Sequence, residues 1–132
     1  VLVKNTDVAW LAGIIDGEGC IMVRLQRKNG THLCRVQVTN TDDGILCEVK
    51  RILDEWLVFY TVCLQSTKNK PCYRIEVNRQ REAKFVLEKV MRYLKSDKKS
   101  KAEMFINFVD NHTRKDGRSL NVRRKVVQYP FI

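Results

Sequence analysis

Two prolines and six glycines are all that 132 residues contain, and they build no flexible linker. Internal repeats and low-complexity tracts are absent too, so one domain over residues 1–132 is expected. No apolar stretch approaches the roughly 18 residues needed to cross a bilayer. No signal-peptide pattern opens the chain. The five cysteines, Cys20, Cys34, Cys47, Cys63 and Cys72, form no Cys-x-x-Cys pair, which argues against a zinc site. Mostly buried free thiols in a reducing compartment are expected instead. That favours an intracellular, non-secreted protein, with nucleoid, organelle and cytoplasm left open. Acids are also in short supply: 15 against 25 Lys and Arg, a net charge of +10. The pI is about 9.6. Such a balance favours a polyanionic partner, with nucleic acid first and an anionic membrane surface second. A merely basic globular protein is the plainer alternative. With 44% hydrophobic residues the chain can build a true core.

The apolar pattern switches period along the chain. Thr6-Asp7 is placed to cap a first helix through Val8, Trp10, Leu11, Ala12, Ile14 and Ile15, ended by Gly17 and Gly19. Residues 20–28 alternate as a half-buried strand does. Asn29-Gly30 predicts a hairpin turn, and residues 34–39 alternate on the way back. Thr41-Asp42-Asp43 starts a second helix carrying Ile45, Leu46, Val49, Ile52, Leu53 and Trp56. A second hairpin spans residues 59–66 and 72–77. Asn78 is placed to cap a third helix through Phe85, Val86, Val90, Met91 and Leu94, and a fourth starts near Ser100. A basic, irregular tail follows from about residue 114, with Arg114, Arg118, Arg123, Arg124 and Lys125. The order α-β-β-α-β-β-α-α predicts an α+β fold, an antiparallel sheet with helices on one face and a polar, cationic face opposite.

Residues 11–19 read Leu-Ala-Gly-Ile-Ile-Asp-Gly-Glu-Gly. Gly13 and Gly17 are four apart on the first helix, so a second backbone can approach closely there. Glu18 stands at the helix C-terminus, where the dipole favours a cation. Such a local conflict marks functional sites more often than structural ones, and a divalent metal would reverse its sign. A helix end that merely carries acids is the plain alternative.

The nonapeptide resembles the signature of the single-motif LAGLIDADG homing endonucleases. Six of nine positions agree outright; Ile14, Gly17 and Glu18 depart, with Gly17 in a tolerated slot and Glu18 retaining a carboxylate. The resemblance extends over the αββαββα order, from about Asp7 to Phe108. It implies a homodimer, two motif helices packed side by side through Leu11, Gly13, Ile14 and Gly17. Glu18 would be the metal-ligating acid and the Gly17 carbonyl a second ligand. Asp16 would have a capping or solvent role. Asn40, at the end of the second strand, would orient water, and Lys98 would be the basic residue before the last packed helix. The implied cofactor is Mg²⁺, or Mn²⁺ or Ca²⁺ in its place. The implied reaction is hydrolysis of both strands of a long pseudo-palindromic DNA site, leaving short 3′ overhangs.

One sheet face carries Arg24, Gln26, Lys28, Arg35, Gln37 and Thr39, extended by Thr61, Gln65, Arg74 and Glu76. Arginine suits guanine and glutamine suits adenine in the major groove, which admits a β-ribbon. An ordinary solvated face remains the alternative. Lys68 and Lys70 at the second hairpin tip suit phosphate. Cys63 and Cys72 share this face and could pair across the hairpin. A non-cleaving binder of the same fold is the second functional expectation: an RNA-splicing maturase, hence an RNA partner, or a DNA-binding regulator. One half of a longer two-motif chain, and an unrelated basic protein, are the remaining readings.

Overall fold

The structure, a computed structural model, describes residues 2–26, 31–66 and 68–111, with residues 25, 26, 31 and 32 described in backbone only. Its elements are α1 (Asn5–Glu18), β1 (Gly19–Gln26), β2 (Thr31–Asn40), α2 (Asp43–Glu55), β3 (Thr61–Ser66), β4 (Cys72–Val77), α3 (Gln80–Val90), a 3-10 turn (Met91–Tyr93) and α4 (Lys98–Asn111). The expected element order holds. The Asn29-Gly30 turn, Lys28 and the basic tail from residue 114 lie outside the described residues. No described helix is long and apolar enough to cross a membrane.

The two hairpins join through their second strands, in the order β1-β2-β4-β3, antiparallel throughout. Period-2 alternation sends Ile21, Cys34, Val36, Val38, Val62, Ile75 and Val77 to one face, all buried. The helices cover that face. Leu11, Ala12 and Ile15 come from α1, Leu46, Val49, Ile52 and Leu53 from α2, Ala83, Val86, Leu87 and Val90 from α3, and Ala102, Phe105 and Val109 from α4. The fold is the expected α+β layer.

Three helix starts and ends carry the local chemistry. Asp42 caps α2 as expected, accepting from the Ile45 N–H at 3.0 Å. Thr6 and Asp7 do not cap α1: the N-cap is Lys4, and Asp7 lies buried in the first turn. Arg51 of α2 holds its carboxylate at 2.9 Å, so a buried acid is used to tie two helices together. Nor does Asn78 cap α3, whose N-cap is Arg79 with no side-chain bond. Asn78 instead belongs to the polar sheet face.

The end of α2 is closed by paired bonds, from the Val58 N–H to the Leu53 carbonyl and from the Leu57 N–H to the Asp54 carbonyl. Leu57 takes the left-handed conformation this closure needs, φ 57°, with its side chain exposed. A non-glycine residue there carries steric strain of about 1–2 kcal/mol. Replacing Leu57 by Gly should raise the unfolding free energy by about 0.5–1 kcal/mol in urea melts, since added unfolded-state entropy offsets part of the relief. A loss of stability would show that Leu57 packs usefully.

Candidate active site and nucleic-acid interface

Helix α1 passes into β1 without a linking residue. Gly19 is at once the helix C-cap and the first strand residue, with its N–H bonded to the Ile15 carbonyl. A Cβ at Gly19 would stand 2.7 Å from that carbonyl oxygen and 2.8 Å from the Ile15 Cα, so only glycine fits. The joint makes Glu18 the last helical residue and leaves it exposed.

The opposite condition holds at the other two motif glycines. Gly13 and Gly17 are exposed, and a Cβ on either would meet nothing within 4 Å. Their missing side chains serve no contact among the described residues. With Asn5 and Ala9 they form an exposed stripe at four-residue spacing along α1. Leu11, expected at the seam between two motif helices, is a correction. It is 2% exposed and belongs to the chain's own core, because it projects from the face carrying Val8, Ala12 and Ile15. Ile14 is half-buried, between the two faces.

The electrostatic conflict at the end of α1 is met from another element. No basic residue occupies its last turn. Lys98, the first residue of α4, donates from Nζ to the Asp16 carbonyl at 2.7 Å, placing a cation at the negative helix end. The Asp16 carboxylate in turn accepts from the Lys95 N–H at 2.8 Å, the Ser96 N–H at 3.2 Å and the Ser96 hydroxyl at 2.6 Å. Asp16 therefore caps the turn before α4, eighty residues on, and fastens it to the motif.

Asn40 ends β2. Continuing the β1–β2 register past Gly19↔Val38 puts it at the same end of the sheet as Glu18. Its Oδ1 accepts from the Asp42 N–H at 2.8 Å. Among the described residues no group of three or more His, Cys, Asp or Glu could hold a metal. The donor set at the end of α1 is the exposed Glu18 carboxylate and the Gly17 carbonyl, one of the last four that a helix leaves without a helical partner. These are hard oxygens of the kind Mg²⁺ and Ca²⁺ prefer. They fit a divalent ion, but one carboxylate per chain is a fraction of a site.

The polar sheet face is assembled by register. Met22 stands opposite Arg35, Cys20 opposite Gln37, Gln37 opposite Glu76, and Thr39 opposite Arg74. Arg24, Gln65, Lys68 and Lys70 are exposed, and Arg35, Gln37, Thr39 and Arg74 half-buried. The Gln26 side chain and Lys28 lie outside the described residues. Gln37 Oε1 is buried without a partner among the described residues. Thr61 and Glu76, expected to face DNA, are 6% and 4% exposed. Arg35 and Arg74 close over Glu76, and Thr61 lies directly opposite it on β3. The proposed cysteine pair is also corrected. Cys63 stands opposite Arg74 and Cys72 opposite Ser66, and all five cysteines are free.

The profile of the LAGLIDADG endonucleases matches residues 11–116. The chain belongs to the LAGLIDADG endonuclease family. No curated protein matches it significantly. Among solved structures it is similar to the homing endonuclease I-CvuI in complex with its target in the presence of Ca. That match has 23% identity and a TM-score of 0.65, over 80% of this chain and 67% of that one. I-CvuI with the I-CreI target in the presence of Mg, its DNA not cleaved, matches at 22% and 0.66, over 81% and 69%. The meganuclease I-AabMI bound to uncleaved DNA matches at 21% and 0.61, over 83% and 40%. At these identities the likeness establishes the fold, which is the LAGLIDADG fold.

The Asp16 cap yields a pH prediction. Desolvation pushes its pKa up, but the Ser96 hydroxyl, the two backbone N–H groups and the nearby Lys98 outweigh it, leaving a pKa below the usual carboxylate range. A depressed folded-state pKa contributes stability that is present above the unfolded value, about 3.9, and lost as the pH falls through the lower folded value. Asp16→Asn should therefore lose stability near neutral pH and decline less steeply below about pH 4 in thermal melts. Parallel wild-type and variant profiles would contradict the cap.

Proposed function

We propose that this chain is a site-specific, double-stranded DNA endonuclease that works as a homodimer, with residues 1–132 acting as one domain. One observation carries it. Glu18 ends α1 in solvent, one residue past the Gly13–Gly17 stripe, whose open backbone meets no other described residue. Two α1 helices laid together along that stripe would bring two Glu18 carboxylates to one place. The buried Leu11 is left out of this seam, and Asn5 and Ala9 take its place beside Gly13, Ile14 and Gly17.

Each copy then holds one acid, one Gly17 carbonyl and one Asn40 beside the phosphodiester to be cut. Asn40 uses its Oδ1 on the Asp42 backbone, which leaves its Nδ2 group to orient a water. Lys98 fixes the carbonyl before Gly17 and sets the direction of the metal-facing end of α1. A divalent cation of the Mg²⁺ class, when bound, supplies charge stabilisation at the phosphate and a more acidic water. The polar sheet face meets the major groove with Arg24, Arg35, Gln37, Thr39, Gln65 and Arg74, while Lys68 and Lys70 meet phosphate. Cutting across the minor groove from two acids would leave short 3′ overhangs.

The test is a cleavage selection on a randomised duplex library with Mg²⁺, comparing the wild type with Glu18→Gln. The wild type should cut a recurring pseudo-palindromic site, and the variant should lose at least about 100-fold in rate while still binding it. Equal cutting by both would remove Glu18 from the chemistry. Tight binding to structured RNA without any duplex cutting would place the chain with the non-cleaving binders. Light scattering should give a dimer on DNA; a monomer there would exclude the shared site.

A further inference from the structure

On the sheet face, four side chains form a closed polar network around one buried acid. The Glu76 carboxylate accepts from Arg74 Nε and lies 3.4 Å from Arg35 Nη1. Its other oxygen accepts from Asn78 Nδ2 at 3.1 Å. Asn78 Oδ1 accepts from Arg35 Nε at 2.8 Å, and Gln65 Oε1 accepts from Arg74 Nη1 at 3.0 Å. The Glu76 side chain is 5% exposed, against 22% for Arg35 and 28% for Arg74. The acid is covered, and each guanidinium, more exposed than the acid, is held at both Nε and Nη1.

This arrangement has two physical consequences. A guanidinium is a rigid plane of five N–H donors, so contacts at Nε and Nη1 fix the direction in which its Nη2 group points. A free arginine on a strand would sample many rotamers, and would satisfy any nearby phosphate as readily as a base. The acid also cancels one of two positive charges. The trio keeps a net charge of +1, which weakens attraction to phosphate without removing the directed donors.

Resting on the DNA recognition proposed above, we propose that Glu76 is a specificity-determining positioning residue. It touches no DNA. It aims Arg35 and Arg74 at base edges and keeps both off the phosphate backbone. Asn78 completes the same frame from the end of β4, bracing Glu76 and Arg35 together.

The test is a binding selection on a randomised duplex library in Ca²⁺, with salt titrations on the selected and on a scrambled duplex. Wild type, Glu76→Gln, Glu76→Asp and the double variant Arg35→Lys/Arg74→Lys are compared. Glu76→Gln should lose about tenfold or more in base preference at the positions the two arginines read. On the scrambled duplex it should bind more tightly, and its log–log salt slope should steepen by about one. Glu76→Asp, which keeps the charge, should keep the wild-type slope. The double lysine variant keeps both charges but not the planes, so it should lose base preference with no change in slope. If Glu76→Gln fails to fold, Asn78→Ala carries the test, because it removes the brace on Glu76 and Arg35 at constant charge. It should lose base preference at the Arg35 position with the wild-type slope, whereas unchanged preference would overturn the role of the frame. Wild-type preference and slope in Glu76→Gln, or wild-type preference in the double lysine variant, would overturn the role of Glu76. If the wild type itself selects no duplex sequence, the DNA-recognition function fails first, and this inference with it.

Discussion

The joint at Gly19 is the constraint on which the rest of the molecule depends. A helix and a strand usually need several residues between them. Here one glycine closes the helix against the Ile15 backbone and begins the ladder with β2. No other residue fits, because a Cβ would run into the Ile15 carbonyl. The orientation of α1 is thereby coupled to the register of β1, and the register fixes which side chains face the helices and which face outward. The joint thereby sets the last turn of α1, which carries Glu18, relative to the arginines on the far sheet face.

A second fastening keeps that relation from drifting. The turn before α4 is bonded to the Asp16 carboxylate, and Lys98 reaches the Asp16 carbonyl. The end of α1 is clamped between β1 on one side and the start of α4 on the other. At its opposite end Asp7 is bound by Arg51 of α2. The motif helix is thus tied at both ends through polar groups and along one face through Leu11, Ala12 and Ile15. Gly13 and Gly17 of its small-residue stripe face no described residue, while Asn5 at the near end accepts from Arg92. Such an arrangement fixes the helix face that is presented for packing.

What was legible in the sequence follows the range of the forces involved. Alternation along residues 20–24 and 34–39 gave the strands and their faces, and Asp42 announced the start of α2, because these are local effects of pleat and cap. The nonapeptide exposed Gly13, Gly17 and Glu18 as a unit. What stayed hidden depends on contacts between distant segments. The pairing of β2 with β4 is not encoded in either hairpin, and without it Asn78 reads as a helix cap rather than the partner of Arg35. Asp16 is expected to cap or to meet solvent, but which turn it caps shows only once Ser96 is brought beside it. Leu11 reads as a seam residue for a different reason: residues 8–15 of α1 are apolar or small all round, so their periodicity does not distinguish core from seam. Glu76 follows the alternation correctly, yet its neighbours bury it.

The central claim is that each copy contributes one Glu18 to a shared cutting site. It is tested most directly with a mixed dimer, purified through two different tags, in which one copy is wild type and the other carries Glu18→Gln. On a supercoiled plasmid bearing the selected site, the mixed dimer should convert the substrate to the nicked form and stop there, since only one strand still has its acid. Linear product formed by the mixed dimer at the wild-type rate would contradict the account.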